Sequence, residues 1–261
     1  MIKFNKSVKG YSHIKANKPC QDHSTLYCDK TRLIMTCNDG HGGDVYIRSE
    51  KGSEFASKAI YKIFSKLDIK SMNESRFDKI RYNILIEWNK LVELDLSCNP
   101  ITDEELIDLT EEEKELVIQN PYKAYGTTLS GALLIDNYLL LIHLGDGEIF
   151  LLKDENIINP FIEDEEEPVA NITYSMCGDD AFKHMKLQVV DFNNYDGVLL
   201  STDGLVNPYQ SYPNFLESFI KPVLTDIKEK HNTKSLNEFV IDLANKLGTG
   251  DDVSIALIYK D

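Results

Sequence analysis

The chain has 261 residues, of which 28 are Lys or Arg and 43 are Asp or Glu, so its formal net charge is −15. The length allows one large domain, and we predict that residues 1–261 form it, with enough chain to bury a sizeable core. The negative charge repels the phosphates of nucleic acids and anionic membranes, which excludes both as direct partners, and no run of 18 apolar residues predicts a membrane span.

The first third of the chain changes from a strand pattern to a helical pattern. Residues 25–27 and 33–37 are short apolar runs separated by a polar turn, which predicts a β-hairpin. Apolar residues then recur at helical spacing over 53–67 and 76–96, which predicts two long helices. The acidic and weakly periodic residues 103–118 indicate a short exposed helix inside a connector.

Further apolar runs follow, joined by turns rich in Asp, Asn and Gly. Because short turns join antiparallel neighbours, the runs at 127–135, 138–144 and 148–152 predict a three-stranded meander. By the same argument, the runs at 186–192 and 197–201 predict a further pair of strands.

The remaining segments of the second half are a loop, two helices and one strand. The acidic run at 163–167 is typical of a solvated loop that self-repulsion keeps extended. Helical periodicity over 215–230 and 236–247 precedes a final apolar strand at 253–259. Strands and helices are therefore segregated along the chain instead of alternating, which predicts an α+β fold with stacked layers.

Four acidic residues stand at the ends of predicted strands. Asp39, Asp146 and Asp203 each close an apolar strand, and Asp251 opens one. A single Asp-Gly pair is most often a turn, but the ends of central strands lie close together, where several carboxylates repel one another unless cations neutralise them. Oxygen ligands without a Cys or His cluster favour Mg²⁺ or Mn²⁺. We therefore predict a site for two such ions, which suits phosphoester hydrolysis.

The two residues after Asp39 add to this prediction. Gly40 has no Cβ, so its carbonyl can approach a metal ion closely. His41 follows directly, and an ordinary histidine pKa of about 6.5 suits the protonation of a leaving alkoxide near neutral pH. A lone histidine is more often a hydrogen-bonded surface residue, but its place beside Asp39 favours a general acid.

Six motifs occur in one order over nearly the whole chain. They are PCQDHS (19–24), NDGHGG (38–43), YGTTLSGALL (125–134), LGDGEIF (144–150), LLSTDGLVN (199–207) and GTGDDVSIALIY (248–259). Together they resemble the metal-dependent Ser/Thr protein phosphatase family, type 2C, in a bacterial and phage-type subgroup. The resemblance implies an α+β, four-layer α-β-β-α sandwich with two central antiparallel sheets. It also implies hydrolysis of phosphoserine or phosphothreonine in proteins by a hydroxide that two Mn²⁺ or Mg²⁺ ions activate.

The resemblance implies a role for each matching residue. Asp39 is implied as the bridging ligand, Gly40 as a backbone-carbonyl ligand, Asp203 and Asp251 as the other carboxylate ligands, Asp146 as part of a weaker third metal site, Asp22 as the acid that hydrogen-bonds metal-bound water, and His41 as the general acid. Asp251 is chosen over Asp252 because the family's ligand stands one residue before the position at which the last strand begins.

The chain departs from the family pattern in its phosphate-binding residue and its third metal site. The family's common Arg falls on Asn17, and the third site's second acid falls on Asn207, so a third ion should bind weakly. Four cations near the site could replace the missing Arg: His13, Lys15, Lys18 and Arg48. We choose Arg48, because a planar guanidinium binds phosphate with two parallel hydrogen bonds.

The sequence also predicts the cellular compartment and the partners of the protein. The five scattered cysteines lack a CxxC pair, which favours a reducing, cytoplasmic setting. We expect a monomer that acts on phosphorylated Ser/Thr proteins, including targets of a cognate Ser/Thr kinase. The alternative is a non-catalytic, type-2C-like (pseudophosphatase) binding or regulatory module. Residues 98–121 could form a flap that gates the substrate or a connector, and the pattern favours the connector.

Overall fold

The computed structural model describes residues 1–69, 74–161 and 173–260, so the predicted acidic loop at 163–167 lies outside the described residues. Within them, ten strands form two antiparallel sheets with the orders β1-β10-β9-β6-β7 and β2-β3-β4-β5-β8. The strands are β1 (Ile2–Val8), β2 (His23–Cys28), β3 (Arg32–Asn38), β4 (Leu129–Ile135), β5 (Tyr138–Leu144), β6 (Glu148–Lys153), β7 (Asn156–Ile158), β8 (Lys186–Asp191), β9 (Gly197–Ser201) and β10 (Val253–Tyr259).

Long and short helices lie between groups of these strands. They are α1 (Tyr11–Lys15), α2 (Ser49–Phe64), α3 (Glu74–Cys98), α4 (Glu111–Gln119), α5 (Ala181–His184), α6 (Asp203–Val206), α7 (Tyr212–Phe215), α8 (Lys221–Lys230) and α9 (Lys234–Asp242). A π-helical turn, Leu216–Ile220, joins α7 to α8, and a second, Leu243–Leu247, continues α9. A 3₁₀ helix, Pro121–Tyr125, precedes β4.

The elements stack in four layers with a hydrophobic core between each pair. Helices α2 and α3 cover the sheet that contains β3, and Ile60 and Trp88 are fully buried in that core. Helices α8 and α9 cover the other sheet through Leu224 and Val240. Leu141 and other residues of both sheets meet in the middle layer. The predicted α+β, α-β-β-α sandwich with two central antiparallel sheets is confirmed.

Two predicted strand pairings are wrong. Strand β6 does not complete a meander with β4 and β5, because it pairs with β9 and β7 in the other sheet. Strands β8 and β9 are not a pair either, since β8 pairs with β5 and β9 with β10 and β6. After β5 the chain turns through Gly145, whose φ of 106° is in the left-handed region, and crosses between the sheets.

The N-terminal strand β1 has no counterpart among the predicted elements. It pairs along its whole length with β10, from Ile2 opposite Tyr259 to Val8 opposite Val253. Its first residues alternate between half-buried and exposed, as expected for an edge strand with one face toward solvent. No helix within the described ranges is both long and apolar enough to cross a membrane.

Candidate active site

The acidic residues singled out in the sequence lie at loops and strand ends at one end of the sandwich. Asp39 follows β3 and Asp203 follows β9, whereas Asp22 precedes β2 and Asp251 precedes β10. Asp146 lies in the turn between β5 and β6. The central strands of both sheets therefore bring these side chains together, as their positions in the sequence predict.

Backbone contacts with the next strand fix Asp39. Its N–H donates to Thr128 Oγ1 at 2.9 Å, and its carbonyl accepts from the Thr128 N–H at 2.8 Å and from Thr127 Oγ1 at 2.7 Å. At Gly40 a Cβ would lie 2.5 Å from the carbonyl oxygen of Gln21 and 2.7 Å from that of Ser49. Only glycine fits this position, because both obstacles are backbone atoms.

Burial and mutual repulsion shift the carboxyl groups of this cluster. Burial raises the pKa of Asp39 well above its ordinary value, and the charges of Asp22 and Asp203 raise it further. Burial also raises the pKa of Asp22, although Thr202 Oγ1 donates to its Oδ2 at 2.7 Å. The pKa of Asp203 is raised by burial and by the charge of Asp146. Carboxyl groups this close to one another repel when they ionise, so their combined negative charge attracts a cation strongly.

The neighbours Asp251 and Asp252 have different surroundings. Asp252 is buried and accepts hydrogen bonds from the backbone N–H groups of Gly10 at 2.7 Å and Gln21 at 2.6 Å. His13 Nδ1 lies 2.9 Å from the same carboxylate. Asp252 therefore holds the segments before β2 against β10. The Asp251 carboxylate is more than half exposed, its Oδ1 accepts from the Asp252 N–H at 2.8 Å, and its charge acts on both Asp22 and Asp203. It is therefore the more accessible member of the pair.

Two polar contacts surround the predicted third metal site. Thr173 Oγ1 donates to Asp146 Oδ2 at 2.6 Å. Asn207 Nδ2 donates to Asp203 Oδ2 at 2.8 Å. The amide of Asn207 therefore stabilises the Asp203 carboxylate. An acidic residue at position 207 would repel that carboxylate.

His41 lies beside the acid cluster in a half-buried pocket. Its N–H donates to the carbonyl of Gly126 at 3.1 Å, and its ring contacts that of Tyr46, with 4.8 Å between centroids. Burial lowers the pKa of His41, the charge of Asp146 opposes this shift, and the charge of Lys123 adds to it. The imidazole is thus placed next to the carboxylates and kept readily deprotonated.

The structure contradicts the prediction that Arg48 binds substrate phosphate. Arg48 is 4% exposed, and its Nε and Nη2 donate to the two carboxylate oxygens of Glu105 at 2.6 and 2.8 Å. Nη1 donates to the carbonyl of Asn99 and the hydroxyl of Tyr125, both at 2.7 Å. The guanidinium is therefore fully used inside the protein, and no donor is left to face a substrate.

Asn17, which stands where the family has Arg, has a local structural role. It follows α1 with φ 54°, and the N–H of Asn17 donates to the carbonyl of Ile14 while that of Lys18 donates to the carbonyl of His13. This is the hydrogen-bond pattern that ends a helix in a left-handed residue, a conformation that Asn tolerates well.

Lys123 is a candidate site residue that the sequence did not predict. This half-buried residue lies in the last turn of its 3₁₀ helix, and its carbonyl accepts from the N–H of Gly126 at 3.1 Å. The carbonyl of Gly126 in turn holds the His41 backbone, and the charge of Lys123 acts on the His41 ring. Its side chain forms no hydrogen bond or ion pair with residues 1–69, 74–161 or 173–260. Its position two residues before the motif at 125–134 was the only signal in the sequence.

The oxygen atoms of the acidic side chains suit divalent cations, although the side chains do not surround a single point. In the part of the chain that the structure describes, no three His, Cys, Asp or Glu side chains are arranged as a ready metal cage. The charges of Asp22, Asp203 and Asp146 nevertheless raise the pKa of Asp39, and those of Asp146 and Asp251 raise the pKa of Asp203. Hard oxygen donors of this kind match Mg²⁺ and Mn²⁺.

A family model described as protein phosphatase 2C matches residues 9–240. The chain belongs to the protein phosphatase 2C family. Curated members of this family with similar sequences include the protein phosphatase PhpP of Streptococcus pneumoniae serotype 2, which is 28% identical over 155 residues, 52% of this chain and 59% of the relative. A putative protein phosphatase 2C-type of Streptococcus pyogenes serotype M6 is 25% identical over 157 residues, 54% of this chain and 60% of the relative. The similarity thus spans about three fifths of the length of these curated relatives.

Solved serine/threonine phosphatase structures share the fold over nearly the whole chain. The serine/threonine phosphatase Stp1 from Staphylococcus aureus aligns with a TM-score of 0.65 and 18% identity, covering 99% of this chain and 94% of that one. The catalytic domain of the serine threonine protein phosphatase PstP, in complex with two manganese ions, aligns with a TM-score of 0.57 and 18% identity, covering 100% and 98%.

Proposed function

We propose that this 2C-family protein hydrolyses phosphoserine and phosphothreonine in proteins. The observation that carries the proposal is the convergence of carboxyls on Asp39, whose pKa the charges of Asp22, Asp203 and Asp146 all raise, with the imidazole of His41 in the field of Asp146. A site that only bound a partner would have no physical need for an acid cluster that raises its own pKa values. The structure offers no observation that favours the alternative of a non-catalytic module.

The acid cluster would hold two Mn²⁺ or Mg²⁺ ions. We assign Asp39 as the shared ligand, the carbonyl of Gly40 as a backbone ligand, and Asp203 and Asp251 as the remaining carboxylates. Asp146 is left for a weaker third site. When bound, such ions lower the pKa of water and neutralise charge on the phosphoryl group. The manganese complex of PstP supports the choice of ions.

The protein's own groups would supply the proton transfers. Asp22, held by Thr202 Oγ1, orients water at the site by accepting a hydrogen bond. His41 donates a proton to the departing side-chain oxygen of serine or threonine, and the lowered pKa of its ring makes it a stronger acid. The contacts of His41 with Gly126 and Tyr46 fix the ring for that transfer.

Lys123 is our revised choice for the cation that binds the phosphate. Arg48 is engaged by Glu105, and His13 lies against the Asp252 carboxylate. Lys123 has no internal partner among the described residues and acts electrostatically on His41. An ammonium group suits this task as a point charge, without the bidentate geometry of arginine.

The domain organisation, the oligomeric state, the location and the partners are further parts of the proposal. We propose that residues 1–261 form one catalytic domain, and that the protein acts as a cytoplasmic monomer. Its partners would be phosphorylated Ser/Thr proteins, including targets of a cognate Ser/Thr kinase. The charge of −15 disfavours nucleic acid and anionic membranes as partners.

Hydrolysis assays test the proposal directly. Purified protein should release phosphate from a phosphothreonine peptide and from a small aryl phosphate with Mn²⁺ or Mg²⁺, and should stop when a chelator is added. Mn²⁺ should also raise the melting temperature, because a ligand that binds only the folded state stabilises it by mass action. Thermal stabilisation by Mn²⁺ without turnover of either substrate would contradict the enzymatic role and favour a binding module.

A further inference from the structure

A cavity of about 370 Å³ lies next to the proposed catalytic site. Its lining includes Gln21, the neighbour of Asp22, and Tyr46, whose ring contacts His41. The opposite wall comes from the segment between α3 and α4, through Asp108 and the buried Leu109. The volume is in the range of small ligand pockets, about 300 to 1,000 Å³, and suffices for one long side chain.

Charge in this cavity is predominantly negative. Asp44 and Asp108 are exposed at its wall, and Glu50 is half-buried. None of the three forms an ion pair with a Lys, Arg or His of the described residues. Burial raises the pKa of Glu50, although the charges of Lys51 and Arg48 oppose this shift. Lys18 also lines the cavity, so the surplus of negative charge is partial.

Gln21, which lines the same cavity, carries a buried acceptor without a donor in the described part of the chain. Gln21 is only 6% exposed, and its Nε2 donates to the carbonyl of His41 at 3.2 Å and to Ser49 Oγ at 2.6 Å. Because a carbonyl can only accept, the contact with His41 fixes the orientation of the amide. Gln21 Oε1 is then left without a hydrogen-bond partner among the described residues. A buried acceptor of this kind is unfavourable unless an incoming group donates to it.

The wall formed by Asp108 and Leu109 is held firmly in place. Arg48, at the start of α2, binds the Glu105 carboxylate through two hydrogen bonds and the carbonyls of Asn99 and Pro100 through two more. This network fixes the segment after α3 to the helix that follows the His41 loop. The cavity is therefore a preorganised feature next to the reaction site, and its position depends on the ion pair of Arg48.

We propose that this cavity binds the side chain of an arginine or lysine near the phosphorylated residue of the substrate, so that the enzyme prefers basic phosphoprotein sequences. Asp44, Glu50 and Asp108 attract the cation, Gln21 Oε1 accepts one of its hydrogen bonds, and Tyr46 and Leu109 pack against its aliphatic part. This inference rests on the proposed phosphatase function and adds a substrate class to it.

The test uses pairs of phosphothreonine peptides that differ only in arginine or citrulline, which have nearly the same shape but differ in charge. Separate peptide pairs place the arginine or citrulline at each position on either side of the phosphothreonine. At one or more positions we expect kcat/KM to be about tenfold higher for arginine, which corresponds to about 1.4 kcal/mol of differential binding. The preference should appear mainly in KM and should weaken with added salt.

Variants connect that preference to the cavity. Asp108→Asn should lower the arginine-to-citrulline ratio, and the double variant Asp44→Asn/Asp108→Asn should bring it close to one. Asp103→Asn is the matched control, since Asp103 is exposed on the same segment but does not line the cavity. Each variant is judged by the ratio of its kcat/KM values for the arginine and citrulline peptides. A loss of folded protein lowers both values equally and leaves the ratio unchanged.

The outcomes separate the two proposals. Equal kcat/KM for arginine and citrulline at every position, together with metal-dependent turnover, would overturn the cavity assignment and leave the phosphatase function in place. An arginine preference that survives the double variant would also overturn it. Failure to hydrolyse both the aryl phosphate and all peptides would instead refute the phosphatase function on which the inference rests.

Discussion

Arg48 donates two hydrogen bonds to Glu105, at 2.6 and 2.8 Å, and thereby ties the segment after α3 to the helix that follows the His41 loop. This pairing lowers the pKa of Glu105 to about 2. Asn99 and Glu105 are thus fixed to Arg48, and Glu105, Asp108 and Leu109 form one wall of the cavity beside the candidate site. The connector role favoured for residues 98–121 stays a prediction.

Replacing Arg48 should mainly affect stability. Arg48→Met leaves Glu105, the hydroxyl of Tyr125 and the carbonyl of Asn99 without their donor, so we expect a loss of about 3 kcal/mol in the free energy of unfolding. Urea unfolding measures this loss, and hydrolysis of an aryl phosphate by the folded fraction should change by less than about threefold, since no contact of Arg48 reaches substrate. A large rise in KM with unchanged stability would instead restore Arg48 as the phosphate-binding residue.

Lys123→Met should raise KM for phosphothreonine peptides by about tenfold, because the variant removes a positive charge beside the site without altering the acid cluster. Lys90→Met is the control, since Lys90 is exposed on α3. Initial rates at several peptide concentrations separate KM from kcat. An unchanged KM in Lys123→Met would refute the role of this lysine.

His41→Gln should affect substrates according to their leaving groups. A serine or threonine alkoxide needs a proton when it departs, so kcat for the phosphothreonine peptide should fall by at least about a hundredfold, the low end of the range for general acid catalysis. An aryl oxide leaves without much assistance, and kcat for an aryl phosphate should fall far less. Equal losses for both substrates would show that His41 positions other groups and does not protonate the leaving oxygen.

Glu148 gives a prediction for the pH dependence of stability. Burial raises the pKa of Glu148 from 4.5 to about 7, although Tyr212 and Asn159 donate hydrogen bonds to its carboxylate. A folded-state pKa above the unfolded value means that the stabilising contribution is complete below pH 4.5 and is lost as the pH rises through 7.

Glu148→Gln cannot ionise, so it should gain stability relative to the wild type as the pH rises from 5 to 8, by up to about 3 kcal/mol. Urea unfolding of both proteins with chelator present measures this difference. The variant also loses the hydrogen bond from Asn159, which shifts the difference equally at every pH. A difference that stays constant between pH 5 and 8 would contradict the shifted pKa of Glu148.

The sequence predicted the strands well where a run is apolar throughout. The bounds of β5, β9 and β10 agree with the prediction to the residue. Sheet membership was not predictable for β6, because Phe150 packs under the outer helices and Ile149 packs between the sheets. A strand buried on both faces shows no alternation that could assign it to one sheet.

The site was predictable to the extent that it depends on strand ends. The positions of Asp39, Asp203 and Asp251 relative to their strands were sufficient to expect them near one another. The role of Arg48 was not predictable, because it depends on Glu105, which is distant in sequence and close only in the fold. Lys123 was missed for the same reason, since its proximity to His41 depends on how the 3₁₀ helix before β4 packs.

The most direct test of the account compares Asp39→Asn with Asp154→Asn for Mn²⁺-dependent hydrolysis of a phosphothreonine peptide. Both changes replace a carboxylate with an amide, but Asp154 is exposed in a turn with φ 49°, a conformation that Asn adopts readily. We predict that Asp154→Asn keeps the activity of the wild type and that Asp39→Asn loses at least about a hundredfold, because the shared ligand for both ions is gone. Full Mn²⁺-dependent activity in Asp39→Asn would contradict the central claim that this cluster is a metal-dependent catalytic site.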